Sequence, residues 1–286
     1  MNQSKPLVAI QMIVFADEVV QNGYEKVLEF IKALGVNEIE LSKVPVNKDT
    51  VPEIERLCKA LDMHVCAMNA GFDPSSDGTL NVTDNLDELA EYANRLSCGY
   101  IRIGSLPSWV YGKADAHYRY AEKLEKIGRQ LAAYGVKFYH HHHEFEFQRY
   151  GEKYGFEILM ENTDPKYVGF EMDTHWLQYA GLNPQEWIRR MEGRADLVHL
   201  KDYRIIMPPE GVTGEVTSPK ALRQKDVQFA EVGEGSLNMR EIITACIETG
   251  VKYMPIEQDT SYDLSSYDSI KISVENIRNM GFADCF

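Results

Sequence analysis

The stretch VAIQMIVFADEVVQNGYEKVLEFIKALGVNEIEL, residues 8–41, decides the fold. Val8 to Phe15 is a short apolar run with strand character. Tyr24, Val27, Leu28, Ile31 and Leu34 then recur at helical spacing, and Gly35 stops the helix. Glu38 to Leu41 is a second apolar run. A strand, an amphipathic helix and another strand in succession form a parallel βαβ unit.

The unit repeats along the chain. Thr50 is placed to cap a helix bearing Ile54, Leu57, Cys58 and Leu61, and His64 to Met68 reads as strand three. Thr83 is expected to open a helix with Leu86, Leu89, Ala90, Ala93 and Leu96. Tyr100 to Ile103 is strand four, and Leu124, Ile127, Leu131 and Tyr134 mark the helix after it, ended by Gly135. Val136 to His141 is strand five, with a short helix near Gly155 to Asn162. Val168 to Met172 is strand six, and Asn183-Pro184 starts the next helix. Leu197 to Leu200 is strand seven. Asn238 with Glu241 resembles a capping box, Tyr253 to Ile256 is strand eight, and Ile270, Val274, Ile277 and Met280 line a last helix.

Eight strand–helix pairs without a domain break predict an α/β fold, a single (β/α)8 TIM barrel over residues 1–286, a length typical of that fold. The competitor is an open doubly wound sheet. It would usually show a Gly-rich loop after strand one, and Phe15-Ala16-Asp17 is not one. Two long loops, Asn69 to Val82 and Tyr203 to Gly235, are expected to be functional. The second follows strand seven and is read as a lid or a subunit contact.

Lys and Arg number 30 against 44 Asp and Glu, a formal net charge of -14. That field repels nucleic acid, and no basic run overrides it. Five cysteines, with no C-x-x-C pair, predict reduced thiols in a cytoplasmic protein. The opening MNQSKPLVAIQMIVF has no signal-peptide pattern, and no apolar run approaches a membrane span. The expected partner is a small molecule, and a homo-oligomer is compatible with the composition.

Catalytic side chains of such a barrel project from the C-terminal ends of strands. Strand two carries Glu40. Strand five ends in His140, His141, His142 and His143, followed by Glu144, Phe145 and Glu146. Strand six ends in Asp173, with Thr174 and His175 after it. Strand seven carries His199 and is followed by Lys201 and Asp202. Strand eight ends in Glu257. Any one carboxylate past a strand is as readily a helix cap. Carboxylates and imidazoles gathered on one rim instead require a cation between them, a divalent ion such as Mn, Zn, Co or Mg. Alternation along a strand puts His141 and His143 on one face and His140 and His142 on the other, without saying which pair points inward. Trp109, Tyr111 and Trp176 are candidates for an apolar pocket wall, although core packing is the commoner use of aromatics after strands.

These segments resemble the sugar phosphate isomerase/epimerase superfamily, the xylose isomerase-like barrels. The similar segments are GVKFYHHHHEFEF (135–147), NTDPKYVGFEMDTHWLQYAG (162–181), DLVHLKDY (196–203), FAEVGEGSLNM (229–239), and YMPIEQDTS (253–261) with SVENIRNMG (273–281). The resemblance implies a metal held by Asp173, His199, Glu257 and a strand-five residue. Where related epimerases carry a ligand Glu, this chain has His141. Glu146 is expected as the fourth ligand, with Glu144 and His141 as rivals.

The resemblance further implies an isomerase or epimerase of a sugar or keto-sugar, working by proton transfer through an enediolate. Glu257 would be the base, His141 or His143 the second acid/base, and Glu40, Lys201 and His175 substrate contacts. A solvated rim charge is the plain alternative for Lys201, and a buried hydrogen-bond partner for Glu40. The His-for-Glu change leaves open a lyase or dehydratase that expels a β-substituent from a keto-sugar, keto-inositol or 3-keto-glycoside. A DNA-repair endonuclease is disfavoured by the acidic charge. A non-catalytic barrel subunit of a hetero-oligomer would bind no metal.

Overall fold

A computed structural model of the chain describes residues 5–76, 78–206 and 227–286. The eight expected barrel strands are all present and parallel. Numbered along the barrel, they are Leu7–Gln11, Glu38–Leu41, His64–Ala70, Tyr100–Ile103, Lys137–His141, Val168–Asp173, Val198–His199 and Tyr253–Ile256. Strand eight pairs with strand one in register Leu7 to Tyr253 through Ile10 to Ile256. Isolated bridges from Leu197 to Tyr253 and from Leu200 to Ile256 join strand seven to strand eight, so the sheet closes on itself and leaves no free edge. The strands are buried almost throughout, as parallel strands covered by helices must be.

Helix ends differ from the reading in detail. Asn183 caps its helix by accepting from the Glu186 amide at 3.2 Å, with Pro184 in the first turn. The Thr83 helix begins later, at Leu86. Thr83 instead donates its hydroxyl to the Phe72 carbonyl at 2.7 Å, which ties down the loop after strand three. Thr50 sits at a helix start, but its hydroxyl donates to the Pro45 carbonyl and caps nothing. Asn238 accepts from the Glu241 amide at 3.3 Å, one half of the expected capping box.

After strand seven, Asp202–Ile205 and Val227–Ala230 form an antiparallel hairpin. Pro208-Pro209, Gly211 and Gly214 of this loop lie outside the described residues. The VGEG segment that follows is a cradle for Asp202. Its carboxylate accepts backbone N–H bonds from Tyr203, Gly233, Gly235 and Leu237 at 2.8–3.2 Å. A side chain at Gly235 would strike that carboxylate, because a Cβ there would lie 2.1 Å from Oδ1. Among the described residues, no helix is long and apolar enough to cross a membrane.

Candidate metal centre

Strand six sets the geometry. Its residues alternate between the barrel interior and the helices, so Glu171 and Asp173 share the interior face. Asp173 is in register with His199 on strand seven, and Glu171 with His141 on strand five. The Glu257 amide bonds to the Leu200 carbonyl at 3.2 Å, which brings the end of strand eight beside strand seven. His141, Asp173, His199 and Glu257 therefore converge. One ligand atom from each lies within 4.8 Å of the others, and all four residues are buried.

The donor set fits a divalent cation. Asp173 Oδ2, His199 Nδ1, Glu257 Oε2 and His141 Nδ1 are buried without hydrogen-bond partners, a costly state for polar atoms unless something else engages them. His199 Nδ1 and Glu257 Oε2 approach to 2.7 Å without forming a hydrogen bond. The other nitrogen of His199 is held from below, by Glu40 Oε2 at 2.9 Å and Glu171 Oε1 at 3.0 Å. Carboxylates behind a metal-binding imidazole fix its tautomer and orientation. Two carboxylates and two imidazoles suit Zn, Co or Mn better than Mg, which prefers oxygen throughout.

Charge around the cluster is finely balanced. Burial would lower His199, but Glu171, Glu40 and Glu257 outweigh it and raise the imidazole well above its ordinary range. Burial lifts the Asp173 carboxyl to about 6. Burial also acts to lift Glu257, yet the charges of Lys201 and His199 hold it well below the usual carboxylate range. Beneath lies an ion network the sequence reading missed. The Arg102 guanidinium on strand four pairs with Glu40 at 2.8 Å and with Glu171 at 3.0 Å, and it donates to the Ser42 hydroxyl at 3.0 Å. A charge in the middle of the apolar strand YIRI, and a Glu two places before Asp173, were the available signals.

The parity of the four histidines is now settled. His141 and His143 face the site. His140 turns outward, bonded to Glu146 at 3.0 Å and packed on Tyr120 and Phe170. His142 packs on Phe147 and Phe156 and accepts from the Asp173 amide at 3.1 Å. That partition corrects the expected fourth ligand. Glu146 spends one oxygen on His140 and the other on the His143 amide at 3.0 Å. It is no part of the cluster, and His141 stands in its place.

Three further expectations shift. Glu40 is completely buried under His199, where it supports the imidazole, and is not among the residues that line the cavity over the cluster. His175 is packed among Trp176, Tyr179, Tyr203 and Phe229, away from the cavity wall. Lys201 does line the cavity, and it is no solvated rim charge. It is 2% exposed, lies over Trp176 and Phe229, and its ammonium binds Asp259 at 2.7 Å and Glu257 at 3.4 Å. Trp109, Tyr111 and Trp176 do not wall the cavity.

The cavity above the cluster has a volume of about 510 Å³, ordinary for a small-molecule site. Gln11, Asn69, Arg102, His141, His143 and Glu257 are among its polar walls. Gln11 donates to Glu257 Oε1 at 2.9 Å. It was missed because the first strand was read through to Phe15, whereas the strand ends at Gln11. Burial lowers the His143 imidazole to about 4, leaving it neutral near pH 7.

Known proteins place this geometry in context. The chain is 33% identical over 147 residues to an inosose dehydratase of Clostridium botulinum (strain Alaska E43 / Type E3), a match covering 49% of this chain and 47% of that one. It thus spans about half the length of the curated relatives it matches. A sugar phosphate isomerase/epimerase from Parabacteroides distasonis superposes with a TM-score of 0.74 at 17% identity, covering 97% of this chain and 99% of that one. The IOLI protein, solved with a bound zinc atom, superposes with a TM-score of 0.65 at 16% identity, covering 96% and 97%. At such identities these likenesses show the fold. The model of the xylose isomerase-like TIM barrel matches residues 28–279, and the chain belongs to that family.

Proposed function

We propose that the protein is a metal-dependent enzyme that moves a proton at the carbon next to the carbonyl of a sugar, keto-sugar or keto-polyol. The observation that carries this reading is the convergence of His141, Asp173, His199 and Glu257 within 4.8 Å beside a polar cavity. A divalent cation held there, with Mn, Zn or Co suiting the donors, would polarise a carbonyl and offset charge growing on its oxygen.

The chain's own residues supply the proton chemistry. Glu257 stays ionised beside Lys201 and, with its two oxygens, is the candidate base. His143 is neutral near pH 7 and is the second candidate for taking up a proton. His141 loses that role in this reading. A neutral imidazole has one available lone pair, on the nitrogen that carries no hydrogen, so committing that nitrogen to a cation leaves the ring none with which to take up a substrate proton. Lys201 and Gln11 hold Glu257 in place and offer donors to substrate oxygens.

Returning the proton to carbon gives isomerisation or epimerisation. Expelling a neighbouring substituent gives elimination, and the similarity to an inosose dehydratase favours that second outcome. The five unpaired cysteines support a reducing, cytoplasmic setting. The test is NMR in deuterated water with Mn-, Co- or Zn-loaded protein and a panel of ketoses and inososes. Deuterium entering the carbon next to the carbonyl is the expected result, and the products separate epimers from dehydration. A protein that binds no divalent ion and exchanges no proton on any panel member would overturn the reading in favour of a non-catalytic subunit.

A further inference from the structure

The wall of the cavity formed by strands three and four is built differently from the rest. Asn69 on strand three is in register with Arg102 on strand four, so the two side chains leave the sheet on the same face. The next residue on that face is a glycine in both chains of alternation, Gly71 and Gly104, and all four residues line the cavity. Ile103 is in register with His140, which carries Gly104 alongside His141, a candidate metal ligand. Two missing side chains thus open a notch beside the metal centre, with Asn69 and Arg102 at its base.

The groups at that base are not used up by the protein. Arg102 is 3% exposed. Its Nε and Nη2 are engaged with Glu40, Glu171 and the Ser42 hydroxyl, which fixes the plane of the guanidinium. Among the described residues, no hydrogen bond reaches its Nη1 or the side-chain amide of Asn69. A Cβ on Gly104 would lie 3.1 Å from Arg102 Nη1 and 3.2 Å from Asn69 Oδ1. The bare face of Gly104 is therefore flanked by a charged donor and an amide acceptor, both free to bind. A hydroxyl satisfies both at once, since it accepts from one and donates to the other. A methylene satisfies neither.

Building on the function proposed above, we infer that Arg102 and Asn69 form a specificity subsite for one hydroxyl of the substrate, and that Gly104 is glycine because a side chain there would close it. Arg102 then has two duties. It neutralises Glu40 and Glu171 beneath His199, and its third nitrogen recognises the substrate. A substrate analogue lacking that hydroxyl leaves a desolvated guanidinium N–H unpaired, which costs at least about tenfold in affinity.

Deuterium entry and calorimetric affinity, measured on the metal-loaded full chain, test this. The probes are D-fructose, D-tagatose, D-psicose and 2-keto-myo-inositol, each beside its monodeoxy analogues. The variants are Asn69→Ala and Gly104→Ala, with melting curves to verify folding. Arg102 is left in place, because its loss would strand two buried carboxylates. In the native protein, removal of one particular hydroxyl is expected to cost at least about tenfold. That penalty falls by about threefold or more in Asn69→Ala and nearly vanishes in Gly104→Ala, where the added methyl presses on both groups, while the penalties for the other hydroxyls stay within about twofold. Asn69→Ala removes only a side chain at the cavity wall, so it decides the matter alone should Gly104→Ala fold poorly. A penalty that keeps its native size in a folded variant, or no hydroxyl with such a penalty, overturns the subsite and leaves the proposed proton chemistry standing. Absence of both exchange and binding with all four parent probes removes the functional reading, and this inference falls with it.

Discussion

His141 and Glu146 share one loop region, and their environments decide their roles. The backbone leaves strand five just after His141, so its ring remains among Asp173, His199 and Glu257. Glu146 lies in a short 3-10 turn and folds back on His140 and the His143 amide. The difference is testable by titrating Zn, Co or Mn into apo-protein. His141→Ala is expected to lose at least about 100-fold in affinity, because removing a ligand costs no less than removing one of its supports. Glu146→Gln is expected to stay within about threefold, since it keeps a polar group on His140. Equal losses in the two variants would restore Glu146 as a ligand.

At the scale of elements, strand pairing explains which residues tolerate change. Strands five and six are in register with Tyr139 opposite Gly169. A Cβ on Gly169 would lie 2.3 Å from the Tyr139 ring, and that ring is fully buried and packed edge-on against Tyr100. The glycine is thus a close-approach site between two barrel strands that carry candidate ligands. Gly169→Ala is expected to cost about 1–3 kcal/mol by overpacking, read as a shifted denaturant midpoint. Metal affinity should fall with it, because Glu171 and Asp173 ride on the same strand. An alanine variant as stable as the native protein would show that Tyr139 moves freely.

For the whole molecule the dominant feature is negative charge gathered inside the barrel. Glu40, Glu171, Asp173 and Glu257 are buried together, and the fixed cations among them are Arg102 and Lys201. Without a further cation, His199 meets the deficit by holding a proton. Stripping the protein with a chelator should therefore lower its melting temperature, and adding back a divalent ion should restore it. At a thousandfold excess over Kd the gain is about 4 kcal/mol, or about 5–8 °C for a chain of this size. A melting temperature indifferent to chelator and to Zn, Co and Mn would exclude a structural contribution from the site.

The order of eight apolar runs and amphipathic helices was enough to determine the barrel, because strand and helix periods are local properties of the chain. It also determined that Asp173, His199 and Glu257 belong to one rim, since each directly follows or ends a strand. Tertiary structure alone decided the rest. Which way His141 and Glu146 turn depends on where strand five ends and what Tyr120, Phe170 and Phe147 leave open. Glu40, Glu171 and Arg102 sit on three different strands, and only barrel closure brings them under His199. Such pairings are set by side-chain packing across the closed sheet, and nothing in the spacing of residues along the sequence encodes them.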